Sequence, residues 1–152
     1  MATVYSEQYK LAYEDVPGGK VAPGDDHGRL RVKHFSYTAA GVIALNDIIK
    51  LCRLPAGARV HDFVLDSPDL GTGGDFDAGW AASADAVEAA NADGFLDGAD
   101  VNAAAVVHKM TDFPGLAGQF KKFDAEVDVQ VLAVEATTAG GTILGAVYYT
   151  TD

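Results

Sequence analysis

Asn91, Asp93, Asp97, Asp100 and Asn102 crowd oxygen ligands into one stretch loosened by Gly94 and Gly98. Hard oxygen donors on a pliable backbone suit calcium. The stretch departs from the EF-hand loop, because Phe95 stands where a ligand belongs and no Glu closes the run. Asp93, Asp97 and Asp100 therefore form a weak calcium candidate, and a solvated acidic loop is the plainer expectation. Gly71-Thr72-Gly73-Gly74 follows a strand-like run, as phosphate loops do, but it lacks the Lys of a P-loop. Its neighbours Asp69, Asp75 and Asp77 would repel phosphate, so a hairpin turn is expected there instead.

Nucleophiles and soft metal ligands are sparse. The histidines are His27, His34, His61 and His108, none paired at ligand spacing, and Cys52 has no second Cys to share a zinc. One cysteine also excludes an intramolecular disulfide. Cys52 sits in the apolar run Ile48, Ile49, Leu51, Leu54 and is expected as a small buried hydrophobe. As a nucleophile it would need a base, and His61 is the nearest in sequence. His61 and Asp62 are adjacent, so on a strand they point to opposite faces. No Gly-x-Ser-x-Gly elbow occurs, and 22 acidic residues make paired carboxylates uninformative. No catalytic residue and no cofactor site are expected.

The net charge of −11 repels phosphate backbones and anionic membrane surfaces, which argues against nucleic acid and membrane as partners. No apolar run has the length of a membrane span, and the first residues lack the apolar core of a signal peptide, so cytoplasmic synthesis is expected. A hydrophobic content of 49% supplies a real core.

The elements that would carry these residues read as strands. Residues 1–28 hold Pro17-Gly18-Gly19 and Pro23-Gly24 and read as an extended N-terminal arm; residues 29–152 read as a single β domain. In the arm, Tyr5, Tyr9 and Tyr13 recur every four residues, which fits a helical stripe or aromatics tucked onto a domain. Exposed tyrosines suit contact with a partner.

Residues 29–38 read as a strand whose apolar phase shifts near Lys33 and His34, predicting a bulge. Residues 42–54 are rich in β-branched side chains, and residues 48–54 and 59–66 are expected to form a hairpin around Pro55-Ala56-Gly57. A short strand over 75–80 follows, then a short helix in the alanine-rich stretch 81–91, then turns over 91–98. Residues 103–110 and 120–123 could each add a strand. Residues 127–149 read as a closing hairpin around Gly140-Gly141. About seven or eight short strands at regular spacing predict an all-β fold, a jelly-roll-like β-sandwich or small β-barrel.

Several phrases occur together: Leu54-Pro55-Ala56-Gly57-Ala58-Arg59-Val60, Asp69-Leu70-Gly71-Thr72-Gly73, Asp85-Ala86, and Thr137-Thr138-Ala139-Gly140-Gly141-Thr142. Over roughly residues 42–152 the chain resembles small virion proteins of tailed phages, of the capsid decoration or head cement type. The resemblance implies a β fold without catalytic residues, often a homotrimer, seated on the outer capsid surface and assembled in the host cytoplasm. The implied partner is the major capsid protein. The arm would then grip neighbouring subunits, with Tyr5, Tyr9 and Tyr13 as contact residues and Lys10 and Lys20 as charge partners. Two alternatives remain: another phage virion component (a tail, vertex or fibre-base protein), or a carbohydrate-binding β-sandwich whose stacking platform would be Trp80, Tyr148 and Tyr149.

Overall fold

The structure, a computed structural model, describes residues 29–102 and 106–151. Eight strands run β1 (Arg31–Ala39), β2 (Ile48–Leu54), β3 (Ala58–Ser67), β4 (Asp75–Trp80), β5 (Asn91–Asp100), β6 (Val106–Lys109), β7 (Val127–Ala133) and β8 (Gly141–Thr151). One sheet has the order β1-β8-β3-β6 and the other β2-β7-β4-β5. The first strand pairs with the last, the second with the seventh, the third with the sixth and the fourth with the fifth, all antiparallel. That is one long ribbon doubled back at the loop between β4 and β5 and wound into two layers, which is jelly-roll topology. The expected all-β sandwich is what forms, as two separate sheets rather than a closed barrel.

Local pairing expectations fail for the reason this topology dictates. β2 and β3 are not a hairpin, because β2 pairs with β7 in one sheet while β3 pairs with β8 and β6 in the other. Likewise β7 and β8 lie in opposite sheets, so the Gly140-Gly141 segment crosses between layers instead of closing a hairpin. The glycine-rich segment after β3 crosses in the same way. β1 has no bulge: all nine residues stay in register with β8, and Leu30 and Val32 point outward instead. No helix forms over 81–91; one 3-10 turn, Met110–Asp112, is the helical element among the described residues. Residues 91–98 are not turns but the first part of β5, which absorbs Phe95 and Leu96 in the core through register shifts against β4. Residues 120–123 make an isolated bridge between Arg59 and Lys122 rather than a strand.

An aromatic column joins the layers. Phe35 and Phe63 come from one sheet, and Phe95 and Trp80 from the other. Ring centroids step from Phe35 to Phe63 at 5.7 Å, to Phe95 at 5.4 Å, to Trp80 at 5.3 Å and to Phe123 at 5.0 Å. Phe63, Phe95 and Phe123 are fully buried. Gly94 lets the indole lie against the β5 backbone, since a Cβ there would stand 2.1 Å from the Trp80 ring. The indole N–H donates to the Ala89 carbonyl at 2.9 Å.

Residues 81–90 are held down by charge. Glu88 pairs with Lys121 at 2.9 Å and accepts the Asp124 N–H at 2.8 Å. The Ser83 hydroxyl accepts the Glu88 N–H, and the Lys121 ammonium also sits 5.5 Å from the Trp80 ring centroid. Burial alone would raise the Glu88 carboxyl. The Lys121 and Asp124 hydrogen bonds and the Lys121 charge outweigh it, and the carboxyl titrates below its ordinary range.

Two expectations follow from this packing. Phe63→Ala should cost roughly 3–5 kcal/mol in urea unfolding, because it opens a cavity in the middle of the column; a loss below about 1 kcal/mol would contradict the column's role. Glu88 has a depressed folded-state pKa, so its stabilisation is complete above the ordinary glutamate range and is lost as pH falls through the folded value. Glu88→Gln should cost about 2–3 kcal/mol at neutral pH. It should also remove part of the acid-induced fall in Tm; equal falls in the two proteins would contradict the pairing.

Candidate interaction surface

Jelly-roll alternation sends one set of side chains inward and leaves the other on two outer faces. The outer face of the β1-β8-β3-β6 sheet is unusually apolar for a solvated surface. β8 supplies Leu144, Ala146 and Tyr148, β1 supplies His34 and Ser36, and β3 supplies Val64 and Asp66. They line a shallow depression of about 540 Å³. On the inner side of the same strand Gly145 leaves room for Phe35; a Cβ there would stand 2.4 Å from the Phe35 ring and 2.1 Å from the Val64 carbonyl. Val32, Leu144 and Val107 are 41%, 46% and 48% exposed on the same sheet. The residues of β8 explain the surface: Ile143, Val147 and Tyr149 fill the core while Leu144 and Tyr148 face out. The unbroken apolar run over 143–149, apolar on both phases, was the sequence signal for a strand covered on both faces.

The opposite outer face is ionic. Asp128 accepts from Lys50 at 2.8 Å and from Arg53 at 2.7 Å, and Arg53 also reaches Glu126 at 3.1 Å. Hydrogen bonds from Arg53 and Lys50 hold the Asp128 carboxyl below its ordinary range. Farther across, burial raises the Asp77 carboxyl; the Gly98 N–H bonded to it lowers it, and repulsion from Asp97, Asp93 and Asp75 raises it further.

The calcium candidates sit on β5. Asp93 and Asp97 are exposed and separated by about 13 Å of strand at the usual rise. Asp100 opposes Asp75 in the ladder and accepts the Asn102 N–H. Among the described residues no group of three or more His, Cys, Asp or Glu side chains could hold a metal ion.

The other candidates are dispersed. Cys52 lies on β2, and burial pushes its thiol up to about 11, so it is protonated at neutral pH. His61 lies in the other sheet, where its Nε2 is 3.0 Å from the Thr150 hydroxyl and its ring meets Phe120. His108 donates from Nε2 to the Asp100 carbonyl at 2.7 Å. The N–H groups of Gly71 and Thr72 donate to Asp69 and Thr138. The carbohydrate platform does not form: Trp80 is 3% exposed, Tyr149 is buried, and Tyr148 points to the opposite face of β8 from Tyr149. Tyr5, Tyr9, Lys10, Tyr13, Lys20 and His27 lie outside the described residues.

No protein-family model matches the sequence, and no curated protein matches it. Solved structures do match. A chain in the capsid of Ralstonia phage GP4 is similar at a TM-score of 0.67 and 21% identity, over 88% of this chain and 92% of that chain. A chain in the capsid asymmetric unit of cyanophage Pam1 is similar at 0.64 and 22% identity, over 93% of this chain and 99% of that chain. Likeness at this identity carries a fold and not a role: the chain shares its β-sandwich fold with chains found in two phage capsids.

Proposed function

We propose that this chain is a structural component of a phage virion, a decoration or cement protein that binds the outer capsid surface and bridges capsomers. The observation that carries the reading is the near full-length likeness to chains from two phage capsids. The surface supports it. A two-layer sandwich with a mixed apolar and ionic exterior is suited to docking, and among the described residues the nucleophile and metal candidates are scattered rather than assembled into a centre. The role is structural rather than catalytic.

The mechanism is multivalent. Each contact is weak, but icosahedral symmetry repeats it around the shell, so many small contributions act together against internal pressure. The major capsid protein is the partner, and a homotrimer is the binding unit. Tyr5, Tyr9 and Tyr13 of the N-terminal segment supply aromatic contacts, and Lys10 and Lys20 supply charge pairs. The net charge of −11 limits non-specific association among crowded copies.

Quantitative mass spectrometry of purified virions of the encoding phage tests this reading through the copy number relative to the major capsid protein. A ratio near one is expected for a decorated shell. A far lower ratio would point to a tail or vertex position, and absence from the particle would overturn a virion role. Deletion of residues 1–20 should abolish binding to expanded capsids and leave the thermal unfolding of the β domain in place; unchanged binding would remove the tyrosine segment from the mechanism.

A further inference from the structure

Phe120 breaks the pattern that the other phenylalanines follow. Phe63, Phe76, Phe95 and Phe123 are fully buried and Phe35 is nearly so, yet Phe120 is 62% exposed. Its backbone lies in the left-handed region at φ 57. Asn46 and Ala86 share that region, but Asn tolerates it and Ala has little to clash, whereas a bulky side chain there is an outlier. Strain of this kind persists only where the surroundings impose it. Arg59 donates from Nη1 to the Phe120 carbonyl at 3.1 Å, and the Lys121 N–H donates to the Gly118 carbonyl. Phe123, three residues on, is fixed in the core. The His61 ring meets the Phe120 ring edge-on at 6.2 Å between centroids. The ring is thus held out into solvent in one place, which is the form of a binding anchor with little conformational freedom left to lose.

A hollow that fits such an anchor lies on the same face of the molecule. β3 is bulged between Val60 and Asp62, and His61 turns to the Thr150 hydroxyl at 3.0 Å. Thr150 shares its strand phase with Tyr148, Ala146 and Leu144, which line the outer depression. Phe120, stacked on His61, therefore stands beside that depression. Thr150 and Ala146 lie about 13 Å apart along β8 at the usual rise. In the middle of the depression the side chain is the small Ala146. Leu144 and Tyr148 flank it along β8, His34 stands across on β1 and Val64 across on β3. β1 and β3 are two strand spacings apart, about 10 Å, which admits an aromatic ring between those walls.

Charge does not oppose a second copy here. Within a chain of net charge −11, this face carries Asp62 and Asp66 on β3, Lys109 opposite Val64 on β6, and Arg59 beneath Phe120. Two copies apposed through it set mixed signs against mixed signs. An anchor and a socket on one face are also satisfied together by a single two-fold axis lying between the copies. The rotation that carries Phe120 over the partner's socket carries the partner's anchor over Ala146.

We infer that the outer face of the β1-β8-β3-β6 sheet is an isologous interface, in which Phe120 of one copy seats over Ala146 of a second copy and the second copy returns the contact. The inference goes beyond the virion reading, because it concerns two copies of the chain and is tested with no capsid present. A two-fold contact is separate from the three-fold unit proposed above and would join copies of different trimers.

The full-length chain with Phe120→p-benzoylphenylalanine carries a photo-cross-linker, itself aromatic, at the anchor. It is mixed with an excess of 15N-labelled wild-type chain, irradiated, digested and read by mass spectrometry. The light peptide bearing position 120 should link to heavy peptides that contain residues 143–148 or 32–36. Irradiation of the substituted chain alone should stop at a covalent dimer on a denaturing gel, because two reciprocal links join the same two chains. Leu144→Glu, placed in the 15N-labelled chain at an exposed position on the socket wall, should lower the heavy links about tenfold or more and leave the thermal transition in place. Absence of heavy links, or heavy links to other peptides alone, would overturn the interface. A covalent trimer would mean a head-to-tail ring and overturn the two-fold arrangement, and heavy links undiminished by Leu144→Glu would overturn the socket.

Discussion

Stacking of aromatic rings across the two sheets is the interaction on which the remainder of this structure depends. Phe35 and Phe63 on one layer meet Phe95 and Trp80 on the other, with Phe123 closing the column against Trp80. A two-layer sandwich has no backbone ladder between its layers, so side-chain packing sets their spacing, with the His108 bond to the Asp100 carbonyl tying them together at the margin. The column also fixes the periphery. Trp80 anchors residues 81–90 through Ala89, and Lys121 spans from the indole to Glu88. The column also constrains β8, since the Phe35 ring fits against that strand only where Gly145 leaves room.

Doubling the chain back on itself has a second consequence. Strand β1 finds its partner at the far end of the described chain, and Arg31 opposes Tyr149. Such pairing gains nothing until distant segments meet, which predicts slow folding relative to a local β-meander. Among the described residues it also leaves β1 as an outermost strand, regular and cationic.

Strand identity was largely legible in the residues, and strand partnership was not. Alternation in 58–67 and 127–133 marks one buried face each, and the structure places strands there. Alternation carries no information about which strand lies alongside. The Pro55-Ala56-Gly57 and Gly140-Gly141 segments have hairpin chemistry, yet both cross between layers, because a turn residue reports a change of direction and not the sheet entered afterwards. β5 was obscured by its composition: Asp93, Gly94, Asp97 and Gly98 resemble a loop, but the glycines serve close packing and a register slip. The apparent helix over 81–91 is alanine-rich without an apolar stripe, and the Glu88–Lys121 pair decides its path instead. The exposed face around Leu144 and Tyr148 was visible only as an apolar run without alternation.

On the proposed reading this jelly roll is a shell component that meets its partners through its surface. Cryo-electron microscopy of purified virions of the encoding phage tests that claim most directly. The expected map has this sandwich on the outer surface of the shell at sites where neighbouring capsomers meet, repeated with the symmetry of the capsid. Density for the chain at the tail alone, or a complete shell with none of it, would contradict the assignment.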